Sequence, residues 1–257
     1  MDATEATTPN SAPRDASGTR SRRKRRRNDA SSSWRVASVL SAVLGVALLA
    51  LALPRLEAEF SVLLARQPVL AAEAGTPVAP DLLANSARRL EDAAGRGLSV
   101  TAHDDAGRAR IMLALYAGPA TPQGQAELTA AAAVLRNGLA HAPAAPYVWN
   151  RLIYAEYARG RLREAAAVWR MASVTGPFDP ELMARRIETG FVLWPYMDTA
   201  ARDAFSRQLE THWRWNAGGL ADLVDRFAMA DVARRALAAY PEAAADLDRR
   251  LAGRAPR

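Results

Sequence analysis

Hydrophobic and polar positions divide the chain into regions of different character. Residues 1–33 contain no Leu, Ile, Val or aromatic side chain, so no apolar periodicity exists there from which to build an element. Residues 36–53 are the reverse: VASVLSAVLGVALLALAL carries no charge, and Ser38 and Ser41 are its most polar members. From residue 81 onward apolar positions recur at helical spacing, without strand-like alternation.

This pattern predicts an all-α protein. Residues 1–33 cannot bury enough apolar surface to offset the entropy of ordering and read as a disordered tail. Residues 34–54 read as a transmembrane helix: 18 helical residues span about 27 Å, against roughly 30 Å of hydrocarbon, with Trp34 and Arg35 as an interfacial flank. A core helix would show a polar stripe, and this segment has none. A cleavable signal peptide would have a shorter apolar region ending at a small-x-small site. Here Pro54, Arg55, Leu56 and Glu57 follow instead, which favours an uncleaved anchor.

Residues 55–80 read as a juxtamembrane helix, EFSVLLARQ, then a linker punctuated by Pro68, Gly75, Pro77 and Pro80. The domain at 81–251 is expected to hold helices at 81–95, 103–117, 122–140, 146–159, 162–175, 180–193, 199–215, 219–239 and 241–251. Asp179-Pro180-Glu181 and Tyr240-Pro241-Glu242 place Pro in a first helical turn, where its missing N–H costs nothing.

Charge sharpens the division. The chain holds 34 basic and 27 acidic side chains, net +7, with a pI near 10.4. The first 35 residues account for +5 of that and the rest for +2. The cluster Arg22, Arg23, Lys24, Arg25, Arg26 and Arg27 is expected to retain the tail in the cytoplasm and to attract anionic lipid. The C-terminal domain then lies in the periplasm of a bacterial cell and the span in its inner membrane. The bacterial source is read from 58 Ala and a single Lys among the 34 basic residues, which suit a GC-rich genome. The same cluster leaves open an Arg-rich nucleic-acid binder, but that requires the folded domain to stay cytoplasmic, and no nucleic-acid partner is expected. Within the span, Ala37, Ser41 and Gly45 form a ridge of small residues suited to helix association, including self-association.

Composition excludes much chemistry. With no Cys, thiolate metal sites, disulfides and Cys nucleophiles are absent, and the three His (His103, His141, His212) are scattered. There is no phosphate loop, nucleophile elbow or H-E-x-x-H pattern. His103-Asp104-Asp105 reads as helix capping. Glu181, Glu188 and Glu210 read as surface ion pairs, Glu181 with Arg185. No catalysis, cofactor or metal is expected. The competing class is an enzyme, or enzyme accessory, acting on envelope glycans or peptides with carboxylates that meet only in the fold.

Short turns between helices suggest hairpins. In APYVWNRLIYAEYARGRLREAAAVWRMASVTGPF, Trp149 and Leu152 are followed by Gly160, then Leu162, Glu164, Ala165, Trp169 and Ala172, with Pro177 at the end. This spacing resembles the tetratricopeptide repeat. Ile153 stands where that family prefers a small residue, and Glu156 occupies an aromatic position, with Tyr157 one place late. Shifted back by 34 residues, Leu128, Ala131, Leu135 and Pro143 match the second half, but Gly118 and Pro119 interrupt the first. Shifted forward, Asp203 replaces Trp169. The resemblance covers about residues 125–215 and implies a curved stack of helix pairs whose concave face binds a protein partner.

Twelve aromatics lie between Tyr147 and Trp215. Most are expected in the core, while Trp149, Tyr157, Trp213 and Trp215 are candidates for a binding edge. Together these features describe a membrane-anchored helical-repeat scaffold that binds protein partners in the inner membrane or periplasm, with surface-polysaccharide assembly as one setting.

Overall fold

The computed structural model describes residues 18–96 and 99–253. They divide into two units, the boundary falling between Leu56 and Glu57. Among the described residues all regular structure is helical.

The first unit is built on helix α1 (Gly18–Glu73). Its stretch Ala37–Pro54, of mean hydropathy 2.3, is long and apolar enough to cross a membrane, and none of it is buried within the protein. Residues 1–17 of the predicted tail lie outside the described residues, while 18–33 are helical rather than unstructured. Arg is a good helix former, and lengthening an existing helix adds a hydrogen bond per residue without a new nucleus. Pro54 and Pro68 fall inside α1, so the predicted span and juxtamembrane helix are one element and the linker shortens to residues 74–79.

The second unit contains the end of α1, then α2 (Pro80–Arg96), α3 (Val100–Ala117), α4 (Pro122–His141), α5 (Pro146–Ala158), α6 (Leu162–Thr175) and α7 (Pro180–Leu193). A 3₁₀ turn, Trp194–Tyr196, leads to α8 (Thr199–Arg226), α9 (Ala230–Ala236) and α10 (Pro241–Ala252). Local chemistry sets most boundaries. Ser99, Thr121, Asp179 and Asp198 each accept a backbone N–H three residues on, capping α3, α4, α7 and α8. Pro opens α4, α5, α7 and α10. Gly118 (φ 85°) and Gly160 (φ 75°) adopt the left-handed region in the turns after α3 and α5.

Two expectations are corrected here. Ser99, not the His103-Asp104-Asp105 run, caps α3, because the helix begins three residues earlier than periodicity suggested. The predicted division between helices 199–215 and 219–239 falls at a break in α8 at Asn216 (φ −153°, ψ 78°), whose Oδ1 accepts the Gly219 N–H at 2.9 Å, but the second helix is shorter than predicted. The second segment then ends at Arg226, and Ala228 (φ 54°) turns the chain into α9.

Successive helices from α2 to α6 pack against one another as hairpins, and α3 also touches α5, which touches α7. Alternate helices therefore lie side by side. Ala165 and Ala172 of α6 have no exposed surface, which lets neighbouring helices approach closely. Phe205 is the centre of an aromatic core, 5.5 Å from Trp169 and 5.3 Å from Phe191 in edge-on contact. Gly190 makes room for it: a Cβ there would lie 2.4 Å from the Phe205 ring.

Candidate functional site: a groove along alternate helices

Because α3, α5 and α7 are neighbours, one face of each lines a common groove. It comprises adjoining cavities of about 460 Å³ and 260 Å³. Helix α3 contributes Arg108, Met112 and Leu115, α5 contributes Asn150, Arg151, Tyr154 and Tyr157, and α7 contributes Arg185, Glu188, Thr189 and Val192. Ile111, Ile153, Glu73 and Phe227 complete the lining. On each helix the contributing positions, single or in adjacent pairs, are set three or four residues apart, the spacing of one helical face.

The polar wall is held by ion pairs across helices. Arg151 Nε donates to Asp104 Oδ1 at 2.7 Å, joining α5 to α3. Arg108 donates to Asp105 Oδ1 at 3.0 Å and also pairs with Glu73. Arg66 Nε lies 3.0 Å from the other Asp105 oxygen. The Asp105 side chain has no accessible surface, and burial pushes its pKa up to about 6 despite the opposing pull of Arg66. Burial likewise lowers Arg108 to about 10, with Arg151 and Arg66 adding like-charge repulsion.

Arg185 differs from these cations. The predicted Glu181–Arg185 pair does not form, and among the described residues no carboxylate lies within ion-pair distance of Arg185. Among the described residues neither Glu181 nor Glu188 has an ion-pair partner, and of the three predicted surface pairs only that of Glu210, with Arg214, is present there. The groove thus presents an uncommitted guanidinium, the Asn150 amide and the Tyr154 and Tyr157 hydroxyls above an apolar floor that includes Ile111, Met112 and Leu115. Two aromatic bodies, a carboxamide and a five-donor cation suit the carbonyls and side chains of a bound polypeptide.

The fully buried carboxylates are closed to ligands. Glu156 is surrounded by Arg136, Arg159 at 3.2 Å and Arg161 at 3.4 Å. Glu73, on the groove wall, is engaged by Arg108. Among the described residues no group of three His, Asp or Glu is placed to hold a metal.

Of the aromatics singled out in the sequence, only Tyr157 lines this groove. Trp149 is half-buried, its Nε1 donating to the Pro143 carbonyl at 2.8 Å. Trp213 donates to Asp246 Oδ2 at 3.0 Å and joins α8 to α10. Arg250, Trp213 and Arg249 together hold the Asp246 carboxyl down at about 2. Trp215 is exposed and stands edge-on to His212 at 5.4 Å. Ala37 and Ser41 are exposed on α1, and Gly45 has open space beside it. The side chains of Arg22, Arg23, Lys24, Arg25, Arg26 and Arg27 lie outside the described residues. Sequence reasoning missed Tyr154, Asn150 and Arg185. Their signal is the recurrence of polar and aromatic residues along one face of α5 and then α7.

Compared with known protein families, curated proteins and solved structures, the chain matches none.

Proposed function

We propose that the protein is a membrane-anchored scaffold whose tetratricopeptide-like helical hairpins hold a segment of another polypeptide in the groove between α3, α5 and α7. The observation that carries this reading is the groove itself: an apolar floor on alternate helices, rimmed by Tyr154, Tyr157, Asn150 and an unpaired Arg185. Concave, mostly apolar surfaces with a few convergent polar groups are binding sites by construction, and stacked helix pairs present them along their length. The span Ala37–Pro54 anchors the chain in a bacterial inner membrane. The Arg cluster keeps the N-terminus cytoplasmic and the helical domain periplasmic.

The test is site-specific photocrosslinking of the full chain in intact cells. A crosslinker at Tyr154 or Tyr157 should trap a discrete polypeptide, one at Trp215 should not, and Arg185→Glu should abolish the adduct. Equal adducts at all three positions, or none at the groove positions, would reject the groove as the binding surface. Reporter fusions after Phe60 and Leu251 should both register export, and a cytoplasmic signal would reject the anchor orientation.

A further inference from the structure

Two of the three histidines, scattered in the sequence, meet in the fold. His103 sits in the first turn of α3 and His141 ends α4. Packing of the α3–α4 hairpin brings their ring centres to 5.8 Å, with the planes inclined at 49°. Gly138 permits the approach. A Cβ there would lie 2.7 Å from the His103 Cβ, so a larger residue would push the start of α3 off the end of α4.

The two rings are differently prepared. His103 is buried, and its Nδ1 lies 2.9 Å from the Ser99 carbonyl oxygen. A carbonyl only accepts, so Nδ1 carries the proton and the neutral ring keeps its lone pair on Nε2. Among the described residues Nε2 has no hydrogen-bond partner, and it is not sealed from solvent. One ring nitrogen tied to a backbone carbonyl and the other left bare is the arrangement that metal-ligating histidines adopt. His141 is exposed and makes no hydrogen bond among the described residues, so its ring can turn to offer either nitrogen.

We propose that His103 and His141 together bind one first-row transition-metal dication, Cu²⁺ most tightly and Ni²⁺ and Zn²⁺ less so, with water in the remaining positions. The separation suits a shared ion. Metal–nitrogen bonds of about 2.1 Å at a tetrahedral angle set two imidazole centres roughly 5 Å apart. A small rotation of the exposed His141 side chain closes the difference without moving either helix. Imidazole nitrogens suit these borderline ions and favour Cu²⁺ among them, whereas Mg²⁺ and Ca²⁺ take oxygen ligands. Among the described residues no third His, Asp or Glu joins the pair, so the site is open to water rather than closed like a structural zinc centre. The ion clips the start of α3 to the end of α4, beside the Asp104–Arg151 pair that joins α3 to α5.

His212, the remaining histidine, is buried, so ion counts report on this pair. Titration of the untagged, detergent-solubilised full chain with Cu²⁺ at neutral pH should give one ion per chain, with two nitrogen ligands in the copper spectrum. Ni²⁺ and Zn²⁺ should bind more weakly and Mg²⁺ not at all. Bound ion should raise the melting temperature, and a chelator or mild acid should reverse the rise, since protons compete for the imidazoles. His141→Ala, at an exposed position, should lower Cu²⁺ affinity by roughly tenfold or more without changing the metal-free melting temperature. His103→Asn, which keeps a donor for the Ser99 carbonyl, should lower the affinity as much. No Cu²⁺ binding, unchanged affinity in either variant, a spectrum with one nitrogen ligand, or one ion shared between two chains would overturn the site.

Discussion

Leu152 and Arg186 hold the same place, the seventh residue, in α5 and α7, which start 34 residues apart; both are buried, yet one is aliphatic and the other carries a guanidinium with no exposed surface. Arg186 replaces a packing contact with a cap. It donates to the Ala172 carbonyl at 3.0 Å and the Gly176 carbonyl at 2.6 Å at the end of α6, while its own carbonyl accepts the Trp169 Nε1–H at 2.7 Å. Burial pulls its pKa down to about 10. Arg186→Ala removes both bonds and the filled volume, and should cost about 3 kcal/mol. Arg186→Met loses the same bonds and charge but refills much of the space, and should cost roughly half as much. Urea unfolding of the detergent-solubilised chain measures both. A Met variant no more stable than the Ala variant would show that the filled volume contributes little and that the loss of the carbonyl bonds sets the cost.

The glycines of α2 and α7 should respond to the same substitution with opposite signs. A Cβ at Gly95 meets nothing within 4 Å, so Gly95→Ala should stabilise by about 0.5–1 kcal/mol through helix propensity alone. At Gly190 the same gain is outweighed, because the Cβ would lie 2.4 Å from Phe205 Cε2 and 3.3 Å from Trp169. Overpacking an aromatic core costs about 1–3 kcal/mol, so Gly190→Ala should be net destabilising. The two melting temperatures should move apart, and an unchanged or raised value for Gly190→Ala would reject the account of the core.

Much of this architecture was legible because its signals are local. Pro at first turns and glycine in the turns after α3 and α5 placed most helix boundaries within three residues. What failed was tertiary. A fixed shift of 34 residues puts Asp203 opposite Trp169, but the 3₁₀ turn Trp194–Tyr196 lengthens that connection, and Asp203 is exposed while Phe205 fills the core. The groove was only partly legible. Tyr157 could be picked out as an aromatic, but Arg185 is distinguished by the absence of a pair that helix spacing alone predicted. Asp104 and Asp105 looked like caps because their partners, Arg151 and Arg66, lie 47 and 39 residues away in the chain.

Asp105 makes the stability of the α1–α3 contact depend on pH in the direction opposite to most carboxylates. Its folded pKa is about 6, against 3.8 for the free side chain. Between those values the folded state keeps a proton that the unfolded chain has lost, so stability from this group falls as pH rises from about 4 to 6. The shift corresponds to a loss on the order of 3 kcal/mol. The stability of the unmodified chain minus that of Asp105→Asn should therefore decline across this window and level off above it. Subtracting the variant removes the slopes of all other carboxylates. A difference that is flat or rises with pH would show that Arg66 and Arg108 outweigh the burial.

Glu156 departs from the aromatic residue expected at its position and gathers arginines instead. Arg136 reaches it from α4, and Arg159 and Arg161 from the turn before α6, so one fully buried carboxylate ties three segments together. Deleting one partner of a buried ion pair usually costs about 3–5 kcal/mol, because the remaining charge is stranded. Here the stranded groups would be arginines with side-chain exposures of 45%, 15% and 42%, two of which can turn to water. Glu156→Gln keeps an acceptor and the shape, and should cost about 1–2 kcal/mol. Glu156→Leu also strands Arg159, the least exposed of the three, and should cost about 1 kcal/mol more. Adding Arg159→Met to Glu156→Leu should recover part of that loss, since it replaces the stranded charge with an apolar side chain. Thermal unfolding of the three variants decides the matter: if the double variant is less stable than Glu156→Leu alone, Arg159 is held by contacts other than the carboxylate.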